Sequence, residues 1–205
     1  VISRRSFALA FAAGSLRAPE ALAGPAGAAH ALVFPRAFGA HPDSRIEWWY
    51  VTGALEAAAR VWGFQITFFR AGTGLAGAAP SRFAARQIVF AHAAVTDLEK
   101  GRLRHDQRIA RSGFGIAEAA SADTSVLLRD WRLVREARAD ASRYRASAAS
   151  ESAGFRFELV LDATGPVLLQ GDDGLSQKGP QAAQASCYYS EPQLAVHGRL
   201  ALDGG

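Results

Sequence analysis

The chain has 205 residues, with 23 Lys and Arg against 19 Asp and Glu, a net charge of +4 and one cysteine. That length suits one sizeable domain or a small domain with tails, while a lone Cys187 excludes an intrachain disulfide and leaves no Cys/His cluster for a structural zinc. Alanine supplies 44 residues of the nominally hydrophobic class, so the core must come from 12 Phe, 4 Trp, 4 Tyr and the Val, Ile and Leu.

At the N-terminus, Ser3-Arg4-Arg5-Ser6-Phe7 precedes an apolar run from Ala8 to Leu16, and Ala21-Leu22-Ala23 offers a small-residue cleavage site. This is a signal-peptide layout. The pair Arg4-Arg5 followed by Phe7 is similar to a twin-arginine export signal, which a receptor reads as a unit. Residues 1–23 are therefore assigned to a signal for the export machinery, with a periplasmic or secreted mature protein. The apolar run is too short for a membrane span, which needs ~20 apolar residues. Cleavage after Ala23 removes Arg4, Arg5, Arg17 and Glu20, leaving 20 basic against 18 acidic residues and a charge of +2. Lys100 and Lys178 are the only lysines and the arginines are scattered, so no phosphate-tracking stripe exists and nucleic acid is not an expected partner.

Residues 24–33 read as a Gly/Ala/Pro linker, and 34–205 as the folded body. Within it, Trp62, Phe64, Ile66 and Phe68 alternate with Gly63, Gln65 and Thr67; Phe155, Phe157, Leu159 and Leu161 alternate with polar residues, as do Leu194, Val196, Leu200 and Leu202. Such period-two runs are half-buried antiparallel strands. Further strands are expected at Glu47 to Leu55, Gln87 to Asp97, Leu103 to Ala110, Ser125 to Leu133, Arg143 to Ala149 and Ala185 to Ser190. Turn chemistry separates them at Gly72 to Pro80, Lys100-Gly101, Ser112-Gly113, Gly165-Pro166 and Gly171 to Gly179, with a short helix over Ala78 to Arg86. The expectation is an all-β antiparallel barrel of about eight to nine strands, whose interior suits one small ligand.

Gly72-Thr73-Gly74-Leu75-Ala76-Gly77 is a literal G-x-G-x-x-G with Asp97 twenty residues past its last glycine, the spacing of a dinucleotide-binding Rossmann fingerprint. Against it, only nine residues including Pro80 separate Gly77 from Gln87, too few for a parallel crossover, so a glycine-rich hairpin loop is the preferred reading. No G-x-S-x-G occurs, and the five histidines show neither H-x-H nor an i,i+4 pair, so neither metal nor cofactor is expected. Cys187 reads as a small packing residue within a strand. The informative cluster is Glu47-Trp48-Trp49-Tyr50. Adjacent tryptophans on a strand put one ring on each face. Glu47, beside that aromatic surface, is either a carboxylic acid with its charged form disfavoured by burial or an acceptor for an arginine and loop amides that closes the barrel.

Several ordered segments carry a resemblance: Phe34-Pro35 to His41-Pro42-Asp43; Glu47 to Tyr50 with Thr52-Gly53; Phe64-Gln65 with Thr67 to Arg70; Ala91-His92 with Ala94 to Asp97; Gln170-Gly171 with Gly174 to Lys178; and Ser186 with Tyr188-Tyr189-Ser190 and Pro192. Together they resemble the AttH-type, lipocalin-like proteins related to carotenoid 1,2-hydratase (hydroxyneurosporene synthase), which also carry the label of secreted hydrolases. The resemblance implies two lipocalin-like barrels in tandem, of which this chain would supply the first, with the principal acid of a Trp-x-Asp-His-Glu stretch falling beyond Gly205. It also implies a hydro-lyase chemistry: protonation of an isoprenoid C=C and capture of the tertiary cation by water, using a carboxylic acid, aromatic faces and one admitted water. In this chain Trp48, Trp49, Tyr50, Trp62, Phe64, Tyr188 and Tyr189 would line an apolar small-molecule ligand, His92 would orient ligand or water, and Glu47 is the local candidate acid. The alternatives are an inert binding or structural barrel, and a secreted hydrolase.

Overall fold

The structure is a computed structural model that describes residues 32–57, 59–75, 81, 83–139, 141–181 and 184–203. The expected signal at residues 1–23, most of the expected linker and much of the Gly72 to Pro80 segment lie outside the described residues.

Two antiparallel sheets make the body. The first contains β1 (Ile46–Ala57), β2 (Arg60–Gly72), β3 (Gln87–Asp97) and β4 (Arg102–Arg111) in sequential order. The second is built from β5 (Ala117–Ala119), β6 (Ser125–Leu128), β7 (Trp131–Ala137), β8 (Ser142–Ser150), β9 (Phe155–Ala163) and β14 (Leu194–Leu202), in the order β14-β9-β8-β7-β6-β5. Between β9 and β14 the chain makes a strap of four short strands, β10 (Leu168–Leu169), β11 (Leu175–Gln177), β12 (Ala185–Cys187) and β13 (Tyr189–Ser190), paired β10-β13 and β11-β12.

Alternation puts one set of side chains from each sheet into a shared core. Trp49 and Val51 of β1, Phe64, Ile66 and Phe68 of β2, and Val89 and Val95 of β3 meet Val126, Leu128, Trp131, Leu133, Phe157, Leu159 and Leu161 from the second sheet. Phe64 faces Phe157 across the sheets with ring centroids 6.4 Å apart. Gly53, paired with Phe64, is closely packed: a Cβ there would stand 3.0 Å from the ring, which would have to shift by a few tenths of an ångström. The interior positions expected to surround a ligand are therefore packed against one another.

One end of the barrel is plugged by a 3-10 turn, Arg36–Phe38. The Phe38 carbonyl accepts the Trp49 indole N–H at 2.9 Å and the Thr124 hydroxyl at 3.0 Å, tying the plug to both sheets. The Arg135 guanidinium lies 3.8 Å from the Phe38 ring centroid and pairs with Asp123 at 2.8 Å. Along one seam, β4 meets the second sheet through side chains rather than a strand ladder. Arg104 donates to the carbonyls of Ala153 and Gly154, each at 3.0 Å, while Arg108 donates to that of Ala149 at 2.7 Å and stacks over Trp131.

The expected strands at Gln87 to Asp97 and Leu194 to Leu202 match β3 and β14 at both ends. Four expectations need correction. The single strand over Ser125 to Leu133 is two strands, because the chain reverses at Arg129 and Asp130, with Leu128 opposite Trp131 and Arg129 at φ 59°. The strand over Ala185 to Ser190 breaks at Tyr188, and the turn stretch Gly171 to Gly179 contains β11. The helix over Ala78 to Arg86 does not form among its described residues, where Phe83 to Arg86 make a turn held by Ala84 N–H to Ser81 O and Arg86 N–H to Ala84 O. Because β2 and β3 pair antiparallel, the G-x-G-x-x-G segment joins a hairpin, and the strand–helix crossover of a dinucleotide fold is not made.

Candidate functional site

The outward positions of the first sheet form an aromatic shelf. The register places Trp48 opposite Phe69, Phe69 opposite Phe90, and Phe90 opposite Ile109, one continuous row across β1 to β4. At the ladder spacing this row is about 15 Å long. Phe69 and Phe90 stack at 4.7 Å with their planes 7° apart, and His92 stacks on Phe69 at 5.6 Å. A second row runs Tyr50, Thr67, His92 and Gln107, and a third Thr52, Gln65, Ala94 and His105. No Asp, Glu, Lys or Arg stands at the outward positions of β1 to β3 between Ile46 and Ala54, Gly63 and Ala71, or Ile88 and Thr96.

The outer face of the second sheet is its opposite. There Arg143 grips Asp162 bidentately at 2.5 and 2.9 Å, Arg145 pairs with Glu136, and Arg199 sits opposite Glu158. One face is an ion-paired, solvated surface; the other carries neutral aromatic area that water does not favour.

The strap supplies the shelf's end wall. Tyr188 reaches the Trp48 ring at 6.4 Å, and its hydroxyl lies 3.2 Å from the Tyr50 hydroxyl. That hydrogen bond, reinforced by partial burial, pushes the Tyr188 phenol above its ordinary value. Lys178 sits over the Tyr188 ring at 5.0 Å and donates to the Ser176 hydroxyl at 2.8 Å.

The eight expected ligand-lining residues do not come together. Trp48, Tyr50, His92 and Tyr188 belong to the shelf, whereas Trp49, Trp62 and Phe64 are buried in the core. Tyr189 turns the other way along the strap, edge-on to Phe34 at 5.2 Å and to Phe38 at 5.3 Å. Burial, with the nearby Glu191 carboxylate, pushes its phenol well above the usual range. Beside it, the Tyr144 hydroxyl donates to Glu191, and burial followed by that bond holds its proton firmly.

Glu47 projects inward, on the face of β1 away from the shelf. Both its oxygens are occupied: Oε2 accepts Arg70 Nε–H at 2.7 Å, the His41 amide lies within 2.7 and 2.8 Å of the two oxygens, and His41 Nδ1 lies 2.7 Å from Oε1. Arg70, wholly buried, also donates to the carbonyls of His41 and Ser44, so this cluster pins the 41–45 loop to the barrel end beside the plug. Cys187 is exposed at the end of β12, which corrects the expectation of a packed residue. Among the described residues, no three His, Cys, Asp or Glu side chains gather as a metal site.

Phe69, Phe90 and Lys178 were not singled out from sequence. A signal for the first was available: the doublet Phe68-Phe69 lies directly opposite Trp48-Trp49, so each doublet puts one ring inward and one outward. Reading that required the register.

These features define an all-β, lipocalin-like protein with a packed barrel and an aromatic outer face. The AttH-like family matches over residues 25–205, and the chain belongs to it. A solved structure of an AttH-type protein from Nitrosomonas europaea is similar at 47% identity with a TM-score of 0.73. The match covers 86% of this chain and 52% of that one, so this chain spans about half the length of its relative. Comparison with curated proteins finds no match.

Proposed function

We propose that the protein binds an apolar, isoprenoid-like small molecule on the aromatic shelf. The observation that carries this reading is the uncharged row Trp48-Phe69-Phe90-Ile109, set against a second sheet whose outer face is ion-paired. Burying such a row removes neutral aromatic area from water at no cost in charge desolvation. The core supports the same location, because its inward rings contact one another.

Addition of water to an isoprenoid C=C, the reaction of carotenoid 1,2-hydratase, is the second reading. Aromatic faces able to stabilise a cation favour it. Binding stands ahead, because Glu47 faces away from the shelf with both oxygens engaged.

The test is fluorescence titration of the full chain with methyl farnesoate, a neutral acyclic isoprenoid ester. Trp48 is the tryptophan on the shelf; Trp49, Trp62 and Trp131 are buried. Saturable quenching is expected, weakened about tenfold or more by Phe69→Ser, which removes one ring of the stack. No quenching in the parent chain sinks the reading. Export by the twin-arginine route belongs to the same proposal, supported by Arg4 and Arg5. Arg4→Lys/Arg5→Lys should hold the protein in the cytoplasmic fraction, and unaltered export of that variant defeats it.

A further inference from the structure

We infer that the ligand of the shelf is an amphiphile with a carboxylate at one end, read by Lys178 together with the Tyr50–Tyr188 hydroxyl pair. This rests on the reading of the shelf as an apolar ligand site. The apolar row that begins at Ile109 ends at Trp48, and Tyr188 stands beyond Trp48 with the ammonium of Lys178 over its ring. Apolar area thus ends in a single positive charge. Lys178 is one of only two lysines in the chain, is exposed, and makes no ion pair among the described residues. Its hydrogen bond to Ser176 orients the ammonium and uses one of three donors.

The hydroxyl pair supplies the rest. Two phenols 3.2 Å apart share one O–H between them, which leaves the second O–H free to donate outward. A phenol held above its ordinary value keeps that proton and serves as a donor. One ammonium and one free O–H match the two oxygens of a carboxylate. Among the described residues, the recorded contacts of Lys178, Tyr50 and Tyr188 include no arginine, so a monoanion is the fitting partner rather than a diphosphate.

Farnesoic acid, methyl farnesoate and farnesyl diphosphate are the probes, titrated against the full chain, Lys178→Met and Lys178→Arg by tryptophan quenching. Farnesoic acid should bind about tenfold tighter than the ester to the parent. Lys178→Met should weaken farnesoic acid about tenfold and the ester far less, erasing the preference, and Lys178→Arg should retain most of it. Lys178 is exposed, so unaltered thermal midpoints are expected for both variants. Equal binding of acid and ester, or an acid preference that survives Lys178→Met, overturns the carboxylate end alone. Failure of both probes to bind overturns the apolar shelf and this inference with it. Tighter binding of the diphosphate than of the acid overturns the monoanion assignment.

Discussion

Glu47 and Arg70 face each other at paired positions of β1 and β2, joined by a 2.7 Å bond from Nε, with the guanidinium wholly out of solvent. Among the described residues Arg70 Nη1 finds no partner, so the arginine depends on this carboxylate and two loop carbonyls. Glu47→Ala leaves a buried cation without its counter-charge and should cost about 3–5 kcal/mol in urea unfolding. Glu47→Leu with Arg70→Met removes both charges and should recover a large part of that loss. A cost for Glu47→Ala within ~1 kcal/mol of zero contradicts the account.

The plug imposes a steric demand at Gly39. Its φ of −83° suits any residue, but an added Cβ would stand 2.2 Å from the Ser121 carbonyl oxygen. Backbone on both sides is fixed by the bond from Ala40 N–H to Ala120 O, so neither segment yields cheaply. Gly39→Ala should lose about 1–3 kcal/mol, or several degrees in thermal midpoint. Gly63→Ala, where the Cβ would meet Thr96 at an ordinary 3.4 Å, serves as the near-neutral control. Equal midpoints for the two variants refute the clash.

Stability should fall with acid through Asp97. Burial raises its carboxyl, but the Lys100 amide and the Arg60 guanidinium outweigh this and hold it below the ordinary carboxylate range. A depressed folded value makes the contribution complete above the unfolded value, about 3.9, and progressively lost as pH falls through the lower folded one. The stability gap between the parent and Asp97→Asn should therefore stay level from neutrality to about pH 5 and close below about pH 4. Urea unfolding across that range checks it; a gap that widens in acid reverses the sign and the explanation.

Strands with clean alternation were legible in the sequence because each has one packed face and one outer face, as in β3. What failed had no local signal. Arg129 takes a left-handed conformation without glycine or asparagine to announce it, because pairing of β6 with β7 imposes the reversal. The strap strands are two or three residues long, below any periodicity. The aromatic candidates stood out by residue type, but their division between the core and the outer face did not. Adjacent residues such as Tyr188 and Tyr189 end on different neighbours, and only the register decides which.

The arginine seam has a consequence for solubility. β4 ends its sheet with an unpaired backbone edge, the kind of template onto which a stray strand from another molecule adds. Its inward positions include Arg104, Asp106 and Arg108, and two of these already hold the carbonyls of Ala149, Ala153 and Gly154. A foreign strand would have to bring charges against its own core face. The barrel leaves its shell unfinished there, and guards the opening by making it unattractive to copies of itself.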